Sequence, residues 1–134
     1  MPSEKRARVF AKTVHQDDRQ DMSALQSDDP VIAVACADIH LSMRPPLARS
    51  KEPDWFKAMT LTLTQLADIS NEYDVPVLCA GDIFDRWNSP PELINFAAER
   101  FDDFDGMYAI PGQHDLPLHR LEDLHKSAFW SLSR

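Results

Sequence analysis

Three short apolar runs constrain the fold of this chain more than any other feature. They are residues 31–37 (VIAVACA), 75–80 (VPVLCA) and 107–110 (MYAI). Each run is too continuous for a half-exposed strand and too short for a helix. We therefore predict three buried parallel strands, because strands buried on both faces read as unbroken apolar runs.

The segments between these runs have the periodicity of helices. The first begins near Pro53-Asp54, a good start signal, and its apolar residues recur at steps of three and four. The second begins at Ser89 and ends before Gly106. The order βαβαβ predicts an α/β fold with a parallel sheet core and flanking helices, because such crossovers are right-handed. The predicted apolar face of the first helix consists of Trp55, Met59, Leu63, Leu66, Ile69 and Tyr73.

A last amphipathic segment, residues 118–130, predicts a third helix. We expect its Leu121, Leu124 and Phe129 to join the core. Both cysteines, Cys36 and Cys79, fall within apolar runs, which favours small buried side chains over a bridge or a ligand.

The length of 134 residues sets a limit of one domain. Residues 1–29 mix both charges with few aliphatic side chains, so we predict a flexible charged arm, followed by a domain over residues 30–134. No apolar run approaches the roughly 20 residues of a membrane-spanning helix, and the first residues lack the apolar stretch of a secretory signal. We therefore expect a cytoplasmic protein without a membrane partner.

Polar residues that can do chemistry follow each predicted strand. In an open parallel sheet, ligands bind beyond the carboxyl ends of the strands, so three such loops converge on one place. Several carboxylates close together repel one another, and bound divalent cations remove that cost. The three groups are Asp38 and His40, then Gly81, Asp82, Asp85 and Arg86, then Gly112, Gln113, His114 and Asp115.

The spacing within these groups fits a metal site. In an extended segment, residues two apart share a face, so Asp38 and His40 are expected to point the same way. Gly81 and Gly112 fit sharp turns that need unusual backbone angles. Carboxylate, imidazole and amide ligands suit Mn²⁺, with Mg²⁺, Fe²⁺ or Zn²⁺ as alternatives.

Other chemistries find no support in the sequence. It contains no G-x-S-x-G nucleophile motif, no phosphate-binding P-loop and no dinucleotide-binding glycine fingerprint. Its formal net charge of −8 does not favour nucleic-acid binding, although bound cations reverse the sign locally.

The three motifs together resemble the signature of the calcineurin-like metallophosphoesterases. That signature is D-x-H, then G-D-x-x-D-R, then a third motif that reads G-Q-H-D here and usually G-N-H-D or G-N-H-E. The resemblance covers roughly residues 31–117 and implies half of a four-layer sandwich. The wording is most similar to the nuclease subunit of double-strand-break repair complexes, on the stretches 38–41 (DIHL), 81–85 (GDIFD) and 89–91 (SPP).

The resemblance implies a role for each residue. Two divalent ions would activate a hydroxide that attacks phosphorus in line, without a covalent enzyme intermediate. His114 would act as general acid, with Asp85 or Asp115 orienting its ring, and Arg86 would contact the phosphate. The implied metal ligands are Asp38, His40, Asp82 as the bridge between the ions, and Gln113.

Two departures from the family pattern leave alternatives open. Gln113 stands where the family usually has Asn, and the later histidines, including a G-H-x-H motif, are not in this sequence. We expect the N-terminal part of a phosphodiesterase that acts on DNA. The alternatives are a weakly active metal-binding accessory module, whose vacant positions His119, His125 or a partner chain could fill, and a phosphatase for small-molecule or protein phosphoesters. A homodimer or an ATPase partner rests on family analogy alone.

Overall fold

A computed structural model describes residues 29–134 of the chain. The chain divides into two units, Met1–Ile32 and Ala33–Arg134. Of the first unit only residues 29–32 are described, so the predicted arm, residues 1–29, lies almost entirely outside the described residues. The second unit contains the sheet, the helices and every predicted site residue.

A three-stranded parallel sheet forms the centre of the second unit. Its strands are β1 (Val34–Cys36), β2 (Val77–Cys79) and β3 (Met107–Ala109), in the order β1-β2-β3. The α/β prediction is confirmed, and each strand is shorter than its apolar run. The register aligns Val34, Val77 and Met107 in one row and Cys36, Cys79 and Ala109 in another.

Helix α1 (Trp55–Tyr73) connects β1 to β2, and α2 (Pro91–Phe101) connects β2 to β3. The start predicted near Pro53-Asp54 is confirmed, and the carboxylate of Asp54 caps α1 by accepting a hydrogen bond from the Lys57 N–H. Helix α2 ends earlier than predicted, at Phe101, and a turn leads to β3. The main core lies between these helices and the sheet. Its fully buried members include Leu41, Leu63, Ile83, Phe84 and Leu93.

The predicted helix over residues 118–130 is wrong. The chain forms short 3-10 turns at Pro117–His119 and Leu121–Lys126 before α3 (Ala128–Leu132). Leu118 and His119 both have positive φ angles, which a continuous right-handed helix excludes. Ser127 caps the new start by accepting from the Trp130 N–H.

The core assignments in this segment are confirmed in part. Phe129 is buried, and Leu124 packs against the core while half-buried. Leu121 is exposed, so its assignment to the core is wrong. The irregular turns before α3 turn Leu121 away from the helix face that the periodicity implied.

The two faces of the sheet differ in exposure, which corrects the prediction of strands buried on both sides. The face of Val77 and Cys79 packs on the helices, whereas Leu78 and Tyr108 on the other face are 44% and 67% exposed. Two successive right-handed crossovers in the order β1-β2-β3 place both connecting helices on one face. Within the described residues the second face is uncovered, and the four-layer sandwich stays a prediction.

Candidate metal centre

Three loops follow the carboxyl ends of the strands and carry the predicted site residues. We name them the first loop (residues 37–41), the second loop (residues 80–86) and the third loop (residues 110–116). The first and second loops run side by side through backbone hydrogen bonds. The N–H groups of Asp38 and His40 donate to the carbonyls of Gly81 and Asp82 at 3.1 and 2.9 Å.

Three side chains, one from each loop, converge on one point. Donor atoms of His40, Asp82 and His114 all lie within 4.8 Å of one another. His40 Nε2 lies 3.9 Å from Asp82 Oδ2 and 3.7 Å from Asp38 Oδ1. The rings of His40 and His114 meet edge to face, with centroids 5.0 Å apart. Two carboxylates and two imidazoles therefore surround one small region.

The backbone at these residues departs from the sequence expectation. Asp38, His40 and Asp82 have φ angles of 55°, 50° and 54°, in the left-handed region that non-glycine residues seldom adopt. The D-x-H segment is thus not extended, and its side chains come together through these turns. The predicted extended geometry of this segment is therefore wrong, whereas the side chains of Asp38 and His40 do lie close together, at 3.7 Å. Backbone strain of this kind concentrates at functional sites.

The two predicted glycines serve different purposes. Gly81 has a φ angle of 109°, as expected for a sharp turn, and a Cβ at this position would lie 2.7 Å from the Cα and backbone nitrogen of Gly112. Gly112 has an ordinary backbone conformation, so the expectation of unusual angles there is wrong. It is required for space, because a Cβ at Gly112 would collide with the carboxylate and backbone nitrogen of Asp82.

Asp82 is held firmly in the centre of the site. Its side chain is 13% exposed, and its Oδ1 accepts a 2.8 Å hydrogen bond from the His114 N–H. Oδ2 faces His40. One carboxylate oxygen thus joins the second and third loops, and the other is directed towards the imidazole cluster.

Asp115 connects the second and third loops through its carboxylate. Its carboxylate is fully buried and accepts hydrogen bonds from the N–H groups of Ile83, Phe84 and Gly112 at 3.3, 3.1 and 2.9 Å. These contacts do not include the His114 ring, so the role of Asp115 in orienting that ring stays a prediction. The observed role is to lock the loops, and an acidic residue three positions after a loop glycine could have indicated it.

Asp85 and Arg86 lie at the rim of the site. Burial raises the pKa of the Asp85 carboxyl, and the nearby Arg86 and His40 oppose that shift. Arg86 Nε is 3.8 Å from Asp85 Oδ2, while its side chain is 78% exposed and free to reach a ligand. The orientation of His114 by Asp85 stays a prediction.

Gln113 is exposed beside His114, with its Nε2 3.5 Å from His114 Nε2. Sequence reasoning missed that the ring of His119 reaches back to it: Nδ1 of His119 lies 2.9 Å from the Gln113 carbonyl oxygen. The positive φ angles of Leu118 and His119 make this return possible, and the sequence carries no signal for them. His119 therefore helps to fix the third loop without joining the cluster of donor atoms.

Two thiols lie directly beneath the first and second loops. Cys36 and Cys79 are register partners on β1 and β2. A hydrogen bond from Cys36 lowers the pKa of the Cys79 thiol to about 7, and the same bond, together with burial, raises the pKa of Cys36 above its usual range. Cys79 is buried as predicted, whereas Cys36 is half-buried.

Comparison with known families identifies the class of this site. The model of the calcineurin-like phosphoesterase family matches residues 33–133, which include all three motifs. The chain belongs to the calcineurin-like phosphoesterase family. It therefore carries a metallophosphoesterase domain with a candidate site for divalent metal. Sequence comparison with curated proteins gives no match. Among the described residues, no helix is long and apolar enough to cross a membrane.

Proposed function

We propose that this chain is the metal-binding part of a nuclease-type phosphodiesterase that acts on DNA. The observation that carries the proposal is the convergence of His40, Asp82 and His114 donor atoms within 4.8 Å at the carboxyl ends of three strands. The wording of the first two motifs supports the nuclease branch over other members of the family. The Ser89-Pro90-Pro91 sequence before α2 adds to that likeness.

The residues present fit a divalent cation. Carboxylate and imidazole ligands bind such ions at about 2.0–2.3 Å, so donors this close need only small side-chain rotations to share one ion. A cation would also offset the repulsion between the carboxylates of Asp38 and Asp82. The proposed ion is Mn²⁺, and the proposal of two ions with Asp82 as bridge follows the family pattern.

Each residue has a proposed part in the reaction. Asp38, His40, Asp82 and Gln113 hold the ions, which supply Lewis-acid stabilisation and an activated water when bound. The proton of the His114 imidazole passes to the leaving oxygen. The 2.8 Å hydrogen bond from the His114 backbone N–H to Asp82 holds this residue beside the proposed metal ligands.

Arg86 is the proposed phosphate contact. Its guanidinium is exposed at the rim of the site, and its pairing with Asp85 at 3.8 Å is loose. A planar guanidinium binds two phosphate oxygens at once and stays charged at all relevant pH values. An exposed cation at this rim also helps an acidic chain, with a formal net charge of −8, to approach a polyanion.

Hydrolysis of a bis-aryl phosphodiester with added Mn²⁺ tests the proposal. Activity is expected of a complete enzyme that contains this chain, and Asp82→Asn is expected to abolish it. Asp105→Asn, at an exposed position on the turn before β3, is the matched control and should keep full activity. Equal activity of the Asp82 variant would refute the assignment of the central ligand, and no activity at all would favour an accessory metal-binding module.

Substrate preference separates the nuclease from the phosphatase proposal. A nuclease is expected to hydrolyse the diester faster than the matching aryl monoester and to degrade linear DNA. The opposite order of rates, with intact DNA, would favour a phosphatase. We also propose a cytoplasmic location and, by family analogy alone, a homodimer or an ATPase partner.

His114 can be a proton donor or a metal ligand, and one variant distinguishes the two. If it donates the proton, His114→Gln is expected to lower kcat by about 10²- to 10⁴-fold and to leave Mn²⁺ affinity unchanged. A parallel loss of Mn²⁺ affinity, measured by calorimetry, would assign the residue to the metal instead.

A further inference from the structure

The two thiols of this chain face each other across neighbouring strands. Cys36 and Cys79 are the only cysteines, both are free, and they are direct register partners on β1 and β2. Register partners project to the same face of a sheet, and here that face is the one packed on the helices.

This placement permits a disulfide bond but not a relaxed one. Neighbouring strands lie about 4.8 Å apart, which is within the usual Cα separation of a disulfide, about 4.4–6.8 Å. The Cβ atoms of a disulfide, however, lie about 3.8 Å apart, so the bond would draw the two strands together. Strained disulfides of this kind are readily reduced and serve as regulatory bonds.

The strand ends next to the thiols lead directly into the metal centre. Asp38 comes two residues after Cys36, and Asp82 comes three residues after Cys79. The Cys36 carbonyl accepts a 2.8 Å hydrogen bond from the Ala80 N–H, and the Cys79 sulfur lies 3.8 Å from the Gly81 carbonyl oxygen. A change in strand spacing at the thiols therefore reaches both loops that carry the carboxylates.

We propose that Cys36 and Cys79 form a reversible dithiol–disulfide site whose oxidation weakens divalent-cation binding by the loops above it. The oxidant is a low-molecular-weight disulfide. One cysteine sulfur attacks it as the thiolate, breaks its S–S bond and releases one thiol, which takes the proton of that cysteine. The other cysteine sulfur then attacks the protein sulfur of this mixed disulfide and releases the second thiol, which takes the remaining proton. The effect on cation binding rests on the proposed function.

Mass spectrometry of the full chain tests the bond itself. After equilibration with glutathione disulfide and an acid quench, the wild-type chain is expected to have lost two hydrogen atoms in mass and both free thiols. Cys36→Ser and Cys79→Ser each leave a single thiol, which should stay free or gain one glutathione. Circular dichroism checks that both variants fold, and Cys36→Ala and Cys79→Ala replace any variant that does not.

Three outcomes would overturn the disulfide: a wild-type chain that keeps both thiols, one that stops at a glutathione adduct, or one that links only to a second chain. Each is visible in the same non-reducing mass spectrum.

Calorimetric titration with Mn²⁺ tests the coupling. Oxidation is expected to weaken binding by about tenfold, the scale of losing a supporting contact behind a metal ligand, and dithiothreitol should restore it. The affinity of Cys36→Ser should not respond to the oxidant. Equal affinities of the oxidised and reduced wild-type chain would overturn the coupling. A reduced chain that binds no Mn²⁺ would refute the proposed function together with the coupling, while disulfide formation is still judged by mass alone.

Discussion

The second and third loops differ from the first loop in how their acidic residues are held. Asp82 and Asp115 are shielded and accept four backbone hydrogen bonds between them, all within or between the second and third loops. The side chain of Asp38 on the first loop is 72% exposed, and its Oδ1 lies 3.7 Å from His40 Nε2. The same residue type thus stabilises the fold in one place and is available to a ligand in the other.

This difference shows that an acidic residue beside a metal centre need not be a ligand. Asp115 directs both oxygens to backbone N–H groups, whereas the carboxylate of Asp38 accepts no backbone hydrogen bond among the described contacts. Substitutions of Asp115 or Gly112, which hold the second and third loops together, should therefore reduce stability, whereas a substitution of the exposed Asp38 should reduce cation affinity. Four experiments test that division.

Asp115→Asn is expected to have the largest effect. The amide group keeps one acceptor oxygen but turns its NH₂ towards N–H donors, so buried donors lose their partner. The free energy of unfolding should fall by about 3 kcal/mol, measured by urea denaturation. Asp105→Asn, at an exposed position, is the control and should unfold like the wild type. An unchanged midpoint for Asp115→Asn would remove its role as the lock between the loops.

Gly112→Ala is expected to come next. The added Cβ would collide with Asp82, so the third loop must move, at a cost of about 1–3 kcal/mol in unfolding free energy. Mn²⁺ affinity should fall as well, because Asp82 is displaced. Gly106→Ala is the matched control: its Cβ would lie 3.7 Å from the Pro76 side chain, an ordinary contact. Equal losses of unfolding free energy and Mn²⁺ affinity in the two variants would show that crowding at Asp82 does not cause these losses.

Asp38→Asn should separate binding from stability. Asn tolerates the left-handed backbone of this position, so unfolding without metal should be unchanged. Loss of the carboxylate charge should weaken Mn²⁺ binding by about tenfold or more, measured by calorimetry. Asp38→Gly should weaken binding to a similar degree while relieving backbone strain. A variant that binds Mn²⁺ as well as the wild type would exclude Asp38 from the metal centre.

Asp85→Asn should have the smallest effect, and its sign depends on pH. Burial raises the folded-state pKa of this carboxyl above its ordinary value of 3.8. The ionised form is therefore disfavoured in the folded state, and stability is lost as pH rises through the interval between the unfolded and folded pKa values. Near neutral pH the variant should unfold at a slightly higher urea concentration than the wild type. At about pH 3, below both pKa values, the two should unfold at the same concentration. A variant that is less stable at neutral pH would show that the contact with Arg86 outweighs burial.

The sequence predicted the order of strands and helices because apolar periodicity and proline signals are local. It also placed Asp38, His40, Asp82 and His114 in one region, since the carboxyl ends of parallel strands meet at one edge. Local patterns do not contain the left-handed turns at Leu118 and His119, which depend on tertiary contacts. They therefore predicted a helix where the structure has two short turns.

Local sequence patterns also did not predict the exposed face of the sheet. Leu78 and Tyr108 belong to apolar runs but are exposed in the structure. An apolar run shows that a strand can be buried. Whether each face of the strand is buried depends on the elements that pack against it. The motif likewise predicted a catalytic role for Asp115, because a motif does not show where a carboxylate points. In the structure this carboxylate accepts its hydrogen bonds from backbone N–H groups of the loops.

A crystal of the chain grown with Mn²⁺ and recorded at the manganese absorption edge tests the metal centre most directly. We predict an anomalous peak with Asp82 and His40 atoms at about 2.0–2.3 Å, the bonding range for carboxylate and imidazole ligands. A peak at another place, or ordered loops with these side chains turned apart and no peak between them, would contradict the assignment.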